Sequence, residues 1–151
     1  MVAVLGVFLG KRWEARGGHR AWLRDQRLIA YTTFLGADLD LYNQLGDTVP
    51  LRREHGDFDD RDVVDPLLDH LGAADSRADL QRQSLARIEV VGPESVIEAA
   101  RACHYATNAY LDVLLSETWR ETDLEQAHMA SRKARRAFSQ TARGVVGGDS
   151  A

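Results

Sequence analysis

The stretch Gln26-Arg-Leu-Ile-Ala-Tyr-Thr-Thr-Phe-Leu35 carries the pattern from which the fold is predicted. Around it one apolar stripe recurs at spacings of three and four residues: Leu28, Tyr31, Leu35, Leu39 and Tyr42. Three more apolar residues widen the stripe, namely Phe34, Leu41 and Leu45. Residues at these spacings share one face of an α-helix. The pattern therefore predicts a helix over residues 19–45 that turns one apolar face toward a core and ends at Gly46.

The composition of the whole chain favours a single all-α domain. With 151 residues the chain is long enough to bury a core, and its 44% apolar and 28% charged residues are typical of a folded protein. Prolines are few, three in all, and no useful run alternates apolar and polar residues as a strand would. The single cysteine, Cys103, excludes an intrachain disulfide and any C-x-x-C motif.

The middle of the chain predicts an acidic loop and then a second helical block. Residues 47–62 are rich in aspartate, but they lack the spacing of a calcium-binding loop. Asp65-Pro66 is typical of a helix start, and a short helix is predicted to end at Gly72. Ser76-Arg-Ala-Asp79 resembles a capping box for a further segment that reaches Val91. Two separate helices and one kinked helix both fit this pattern.

Gly92-Pro93 is the clearest break in the chain, and two more helices are predicted after it. In a helix over residues 93–118, the inward face comprises Val96, Ile97, Ala100, Cys103, Thr107, Tyr110, Leu111 and Leu114. Thr122-Asp-Leu-Glu125 has capping-box spacing for a helix over residues 123–143, whose inward face comprises Leu124, Ala127, Ser131, Ala134 and Phe138. Four helical blocks with short links predict an up-down four-helix bundle over residues 19–143, with residues 144–151 as a flexible tail.

The first 18 residues combine a short apolar run with a basic collar. The run is Val2-Ala-Val-Leu-Gly-Val-Phe-Leu-Gly10, and residues 1–10 would cover about 15 Å as a helix, roughly half of a bilayer's hydrocarbon core. Three interpretations stay open: the end of a longer transmembrane helix that starts upstream, a shallow interfacial segment, or an ordinary buried helix end. For a membrane segment, the residues predicted at the lipid interface are Lys11, Arg12, Trp13, Arg16, Arg20 and Trp22. Gly17-Gly18 is predicted to act as a hinge before the bundle.

Charge is unevenly distributed along the chain. Residues 1–36 carry a net charge of +4, residues 37–98 one of −9 and residues 99–151 one of +1. The basic start suits an anionic membrane surface, and basic residues beside an apolar segment belong on its cytoplasmic side. The acidic middle argues against a general nucleic-acid-binding protein.

A second basic cluster lies in the predicted fourth helix and comprises Arg132, Lys133, Arg135 and Arg136. Helical geometry predicts that it occupies the solvated face, opposite Ala134 and Phe138. It is the candidate patch for an anionic partner, either lipid or the acidic loop of a neighbouring copy. No recognition motif for nucleic acid accompanies it, so nucleic acid is not an expected partner.

No set of residues in the sequence predicts a catalytic or metal centre. Glu125-Gln-Ala-His128 has the E-x-x-H spacing of di-iron bundles, but such sites need a second copy and two more carboxylates. Cys103 and His104 are neighbours about 100° apart on a helix, so they cannot act together as nucleophile and base. Motifs for phosphate binding, zinc proteolysis and serine hydrolysis are absent from the sequence. No catalytic residue, cofactor or metal ligand is therefore expected, and the chain is not expected to be an enzyme.

Two stretches resemble a group of small uncharacterised bacterial proteins: Trp22-Leu-Arg-Asp-Gln-Arg-Leu-Ile-Ala-Tyr-Thr-Thr-Phe-Leu35 and Val90-Val-Gly-Pro-Glu-Ser-Val96. The resemblance implies one N-terminal transmembrane helix and a cytoplasmic helical domain, and it implies no activity or cofactor. The sequence therefore favours a membrane-tethered cytoplasmic bundle that contacts a protein partner or a second copy. The alternative is a soluble bundle that binds a ligand or metal, or an enzyme, with a pocket near His104, Tyr110 and His128.

Overall fold

A computed structural model describes the backbone of residues 3–54, 61–116 and 118–148, and the side chains of residues 18–54, 66–116 and 118–148. Within these ranges the chain forms four α-helices and no strand. They are α1 (Ala3–Glu54), α2 (Arg61–Val91), α3 (Glu94–Leu115) and α4 (Glu121–Gly148). The predicted all-α four-helix bundle with a long first helix is confirmed.

The helices pack as two antiparallel pairs, α1 with α2 and α3 with α4. Their buried apolar side chains form two clusters, one toward each end of the bundle. Phe138 of α4 stacks edge-on against Tyr31 and Phe34 of α1 in the first cluster. Leu41 and Leu45 belong to the second cluster. A layer of buried polar residues lies between the two clusters.

The buried face of α1 repeats strictly every three and four residues: Tyr31, Phe34, Asp38, Leu41, Leu45, Thr48 and Arg52. This is the seam that packs helices side by side in bundles. The predicted stripe was partly wrong, because Leu28 and Leu39 are exposed. The observed seam contains three polar residues. A pattern that counts only apolar residues therefore selects the neighbouring face of the helix instead of this one.

α1 is longer at both ends than predicted. It runs through Gly17, Gly18 and Gly46, so neither the hinge nor the stop at Gly46 is present. A glycine inside a helix costs only about 1 kcal/mol, which the surrounding helix formers and tertiary contacts offset. The helix also contains Pro50 in its final turns. Residues 47–54 and 61–62 of the predicted acidic loop are therefore helical, and residues 55–60 lie outside the described part of the chain.

α2 is one continuous helix rather than two. Gly72 and Ser76 lie within it, and the Ser76 hydroxyl donates to the Gly72 carbonyl at 3.1 Å instead of capping a new helix. Asp79 pairs with Arg82 on the surface at 2.7 Å, so the predicted capping box was wrong. The break after Val91 is confirmed. A side chain on Gly92 would lie 2.8 Å from the backbone oxygen of Ile88, so this tight ending requires glycine.

The inward face of α3 agrees with the prediction at all eight positions, Cys103 included. The helix ends at Leu115, because Ser116 is extended. Two arginines of α1 bind the ends of neighbouring helices: Arg27 Nε donates to the Val91 carbonyl at 2.9 Å, and Arg52 Nη2 donates to the Ser116 carbonyl at 2.9 Å. Each cation meets the negative end of a helix dipole, which stabilises both contacts.

α4 begins at Glu121, one residue before the predicted cap Thr122. The carbonyl of Arg120 accepts the amide hydrogens of Asp123 and Leu124, which places Thr122 inside the first turn. The predicted capping box at Thr122 was therefore wrong. Leu124, Ser131 and Phe138 are buried as predicted. The helix continues to Gly148 and buries Ala142, so it extends beyond the predicted end at residue 143.

None of the helices, as far as the chain is described, has an apolar stretch long enough to cross a bilayer. The backbone of residues 3–17 belongs to α1, and the side chains of the predicted anchor lie outside the described residues.

Candidate functional site

The centre of the bundle is occupied by a fully buried carboxylate, Asp38. Its Oδ1 accepts hydrogen bonds from Gln81 Nε2 at 2.6 Å and from the Thr107 hydroxyl at 2.8 Å. Its Oδ2 accepts from Arg135 Nε. These three donors come from α2, α3 and α4, so one side chain of α1 is bonded to every other helix.

A second set of bonds extends this polar layer. Because the Thr107 hydroxyl donates to Asp38, it accepts from Ser131, 2.9 Å away. Gln81 Oε1 accepts from Asn108 Nδ2 at 3.0 Å and lies 2.8 Å from His104 Nδ1. Since Gln81 Oε1 is an acceptor, His104 Nδ1 is the protonated nitrogen. Burial and then the charge of Arg82 lower the pKa of His104 below its usual value, against the opposing charge of Asp38.

Arg135 does not lie on the solvated face where the sequence placed it. It is mostly buried, binds Asp38, and holds its guanidinium carbon 4.1 Å from the centre of the Tyr42 ring. Its Nη2 has no hydrogen-bond partner within the described residues. The position belongs to the buried seam of α4 together with Ser131 and Phe138. The physical reason is the carboxylate of Asp38, because a buried charge needs a partner.

Cys103 borders the same layer and is fully buried. Burial, followed by the charge of Asp38 and a hydrogen bond to it, raises the pKa of the thiol far above its usual value. The sulfur therefore stays protonated at neutral pH, whereas nucleophilic attack requires the thiolate. Cys103 is a packed core residue, as predicted.

Three rings meet one layer further along the bundle: Tyr42, Tyr110 and His128. The Tyr42 hydroxyl is hydrogen-bonded to His128 Nε2. The centroids of Tyr110 and His128 are 5.8 Å apart. The structure thus joins two residues of the predicted pocket, Tyr110 and His128. The third, His104, binds Gln81 instead.

Beside these rings a pocket of about 240 Å³ opens at the seam between α1 and α4. Its lining comprises Gly46, Val49, Arg53, Tyr110, Glu121, Leu124, Glu125 and His128. Burial, and to a lesser extent Tyr42 and Glu121, raises the pKa of Tyr110 to about 12, against the opposing charge of Arg53. The pocket therefore presents a neutral phenol between charged rims. Nowhere in the described side chains do three His, Cys, Asp or Glu residues gather as a metal site would require.

The predicted lipid-facing residues divide into two groups. Arg20 and Trp22 are exposed near the point where α1 enters the bundle, and His19 stacks on Trp22 at 5.9 Å. The side chains of Lys11, Arg12, Trp13 and Arg16 lie outside the described residues.

Three of the four residues of the predicted basic patch on α4 are exposed. Arg132, Lys133 and Arg136 are exposed around Met129, which is itself 60% exposed. This patch lies on the outer side of α4, whereas Arg135 faces the core. The patch is a solvated cationic surface with an apolar centre.

A longer groove follows the outer side of the α1–α2 pair. Small residues form its floor, among them Gly36, Ala37 and Ala73. Leu80, 57% exposed, lies on its rim, and Ile29 and Val90 are exposed on the same side.

Comparison with protein-family models, curated proteins and solved structures gives no match to this chain.

Proposed function

We propose that the protein is a membrane-tethered helical bundle on the cytoplasmic face, in which α1 joins a lipid-binding end to a protein-contact body. The observation that carries the proposal is the continuity of α1 from Ala3 to Glu54. Arg27 binds the end of α2, and about 36 Å of helix precedes it at 1.5 Å per residue. A force or orientation imposed at the basic collar therefore reaches the bundle without a flexible linker.

The charge distribution supports this orientation. Phe138 packs near Tyr31, and Glu121 pairs with Arg53, so α4 runs antiparallel to α1. The end near the collar consequently carries exposed basic residues, namely Arg20, Arg24 and Arg143. The opposite end carries exposed acidic residues, namely Asp47, Asp69, Asp112 and Glu125. An anionic membrane surface therefore repels the acidic end more strongly than the collar end, where exposed Asp25, Glu89, Glu94 and Glu98 lie among the arginines.

The body offers a contact surface in the α1–α2 groove. Its small-residue floor permits close approach of another helix, and Ile29, Leu80 and Val90 supply exposed apolar area. We assign this surface to a second copy, because tethering concentrates copies in the plane of the membrane with their first helices parallel.

Vesicle binding tests the tether. The full chain should sediment with phosphatidylcholine vesicles that contain phosphatidylglycerol, and less with pure phosphatidylcholine. Each basic residue at the surface contributes about 1 kcal/mol, so replacing Arg12, Arg16 and Arg20 by glutamine should weaken binding on the order of a hundredfold.

The matched control removes three charges elsewhere, by replacing Arg132, Lys133 and Arg136 with glutamine. It should change vesicle binding far less, because that patch lies on the side of the bundle. Equal losses in the two triple variants would contradict an N-terminal tether. Fractionation of the natural gene product supplies the cellular check, and complete recovery in the soluble fraction would also contradict it.

A further inference from the structure

Gly46, an exposed glycine of α1, is part of the wall of the pocket between α1 and α4. A side chain on Gly46 would meet no atom within 4 Å, so the missing side chain leaves free space beside Val49 and Arg53. The pocket lies at the end of the bundle away from the collar, because Arg53 pairs there with Glu121. A ligand bound in this pocket would therefore take no part in the proposed contact with lipid.

The hydroxyl of a buried side chain, Tyr110, opens into this space. Tyr110 is only 2% exposed, and no hydrogen bond reaches its hydroxyl from the described residues. The charges of Arg53 and Glu121 act on that hydroxyl, so it lies near the two residues that close the pocket. A hydroxyl that the described chain leaves without a bond at the wall of a pocket is a candidate contact for a ligand.

A backbone carbonyl adds a second acceptor. In an α-helix the carbonyl of Gly46 would accept the amide hydrogen four residues later. That residue is Pro50, which has no amide hydrogen. The carbonyl of Gly46 therefore lacks its usual helical donor at the edge of the pocket.

The charges at the rim add up to a negative site. Arg53 is bound by both carboxylate oxygens of Glu121, which satisfies this pair. Glu125 lies one turn further along α4, is exposed, and has no ion pair among the described side chains. The carboxylates of Glu121 and Glu125 both act on the charge of Arg53, so these three side chains carry a net charge of −1 beside the phenol of Tyr110.

We propose that this pocket binds a primary alkylammonium ion, with Glu125 as its counter-ion. The ammonium hydrogens would be accepted by the Glu125 carboxylate, the Tyr110 hydroxyl oxygen and the Gly46 carbonyl. The short alkyl chain would contact Val49 and Leu124.

The volume limits the ligand to a few carbon atoms. Drug-sized ligands occupy pockets of roughly 300–1,000 Å³, and this one has about 240 Å³. A free small amine and the side chain of a lysine both supply the required group. Titrations with n-butylamine and with N-acetyl-lysine methylamide distinguish these two sources, because only the second requires room for a backbone.

Amide NMR titration of the full chain at neutral pH is the direct test. Protonated n-butylamine should shift the signals of Gly46, Tyr110 and His128 saturably, and leave those of Gly36 and Gly144 unchanged. The uncharged isostere n-butanol should bind about tenfold more weakly or not at all, since it lacks the charge. Equal binding of the amine and the alcohol, or no saturable shift with either amine, would overturn the proposal.

Charge removal provides the matched variants. Glu125→Gln should weaken amine binding about tenfold while leaving n-butanol unchanged. Glu98→Gln removes the same charge from an exposed site on α3, and it should leave amine binding as in the parent protein. If both variants weaken binding alike, the effect reflects net charge and the site is wrong.

A variant that fills the pocket distinguishes a loss of amine binding from a loss of folding. Gly46→Leu places a side chain in the open space and improves helix propensity, so it should abolish amine binding in a chain that unfolds no earlier. Gly72→Leu makes the same change in α2, where space is also open, and it should keep amine binding. Retained binding in Gly46→Leu would exclude this pocket.

Discussion

The polar layer around Asp38 and the pocket around Tyr110 lie about 12 Å apart along α1, as the eight residues from Asp38 to Gly46 imply. The two regions use similar side chains in opposite ways. In the layer, the carboxylate is fully buried and accepts bonds from three helices. In the pocket, the carboxylate of Glu125 is exposed and the phenol has no partner in the described chain.

The difference shows what buried polarity does in each place. The network around Asp38 fixes one arrangement of the helices, because sliding any helix by a turn separates Asp38 from its donors, although Arg135 Nη2 remains enclosed without a partner among the described residues. The acceptors at the pocket have no partner among the described residues, so they remain available to a ligand. Polar residues in the seam of a bundle therefore indicate a site only where some of their bonding capacity stays free.

Removing the carboxylate of the layer should have the largest effect. Asp38→Ala leaves the guanidinium of Arg135 buried without its counter-ion, and it removes the acceptor of Gln81 and Thr107. The free energy of unfolding should fall by about 3–5 kcal/mol, measured by urea unfolding followed by circular dichroism.

The neighbouring variant Asp40→Ala is the control, because Asp40 is exposed, and it should change stability by about 0.5 kcal/mol or less. Replacing both charges, with Asp38→Leu and Arg135→Met, should recover part of the loss of Asp38→Leu alone. A double variant no more stable than that single one would contradict a charge-pair origin.

Adding one carbon atom beside the pocket should raise the stability of the protein, whereas Asp38→Ala should lower it. Gly46→Ala meets no neighbouring atom and improves helix propensity, so the free energy of unfolding should rise by about 1 kcal/mol. Gly92→Ala brings its new atom within 2.8 Å of the Ile88 oxygen and should lower stability. Thermal unfolding of both variants measures the contrast, and a loss of stability in Gly46→Ala would mean that the space beside Gly46 is filled.

The smallest expected effect is a dependence on pH. The pKa of His104 is lowered in the folded chain, so folding favours the neutral ring. Its contribution is present above the unfolded pKa of about 6.5 and is lost as the pH falls through the lower folded value. Between pH 7.5 and 5, His104→Gln should therefore lose less stability than the parent protein, measured by thermal unfolding. Parallel pH profiles for the two proteins would contradict this assignment.

The sequence is sufficient for α3 and insufficient for α1, and the reason is the polarity of their seams. In α3 the inward positions are apolar or small, so the repeat is visible at all eight. In α1 the same repeat passes through Asp38, Thr48 and Arg52, which an apolar pattern omits. A search for spacings of three and four regardless of polarity would have found it.

The candidate sites were only partly predictable. Tyr110 and His128 were expected together, but Tyr42 is 86 residues from His128 and nothing local joins them. The role of Arg135 depends on a carboxylate 97 residues away. The predicted capping boxes at Ser76 and Thr122 were wrong, since tertiary packing extends a helix through residues that would otherwise end it.

The arginines at the two ends of the α1 seam have a mechanical consequence. Arg27 attaches α1 to the end of α2, and Arg52 attaches it to the end of α3. A pull along α1 therefore loads both neighbours parallel to their axes, in shear, over the whole length of the bundle. All the lateral contacts resist such a load together, whereas a pull across the bundle would break them one after another.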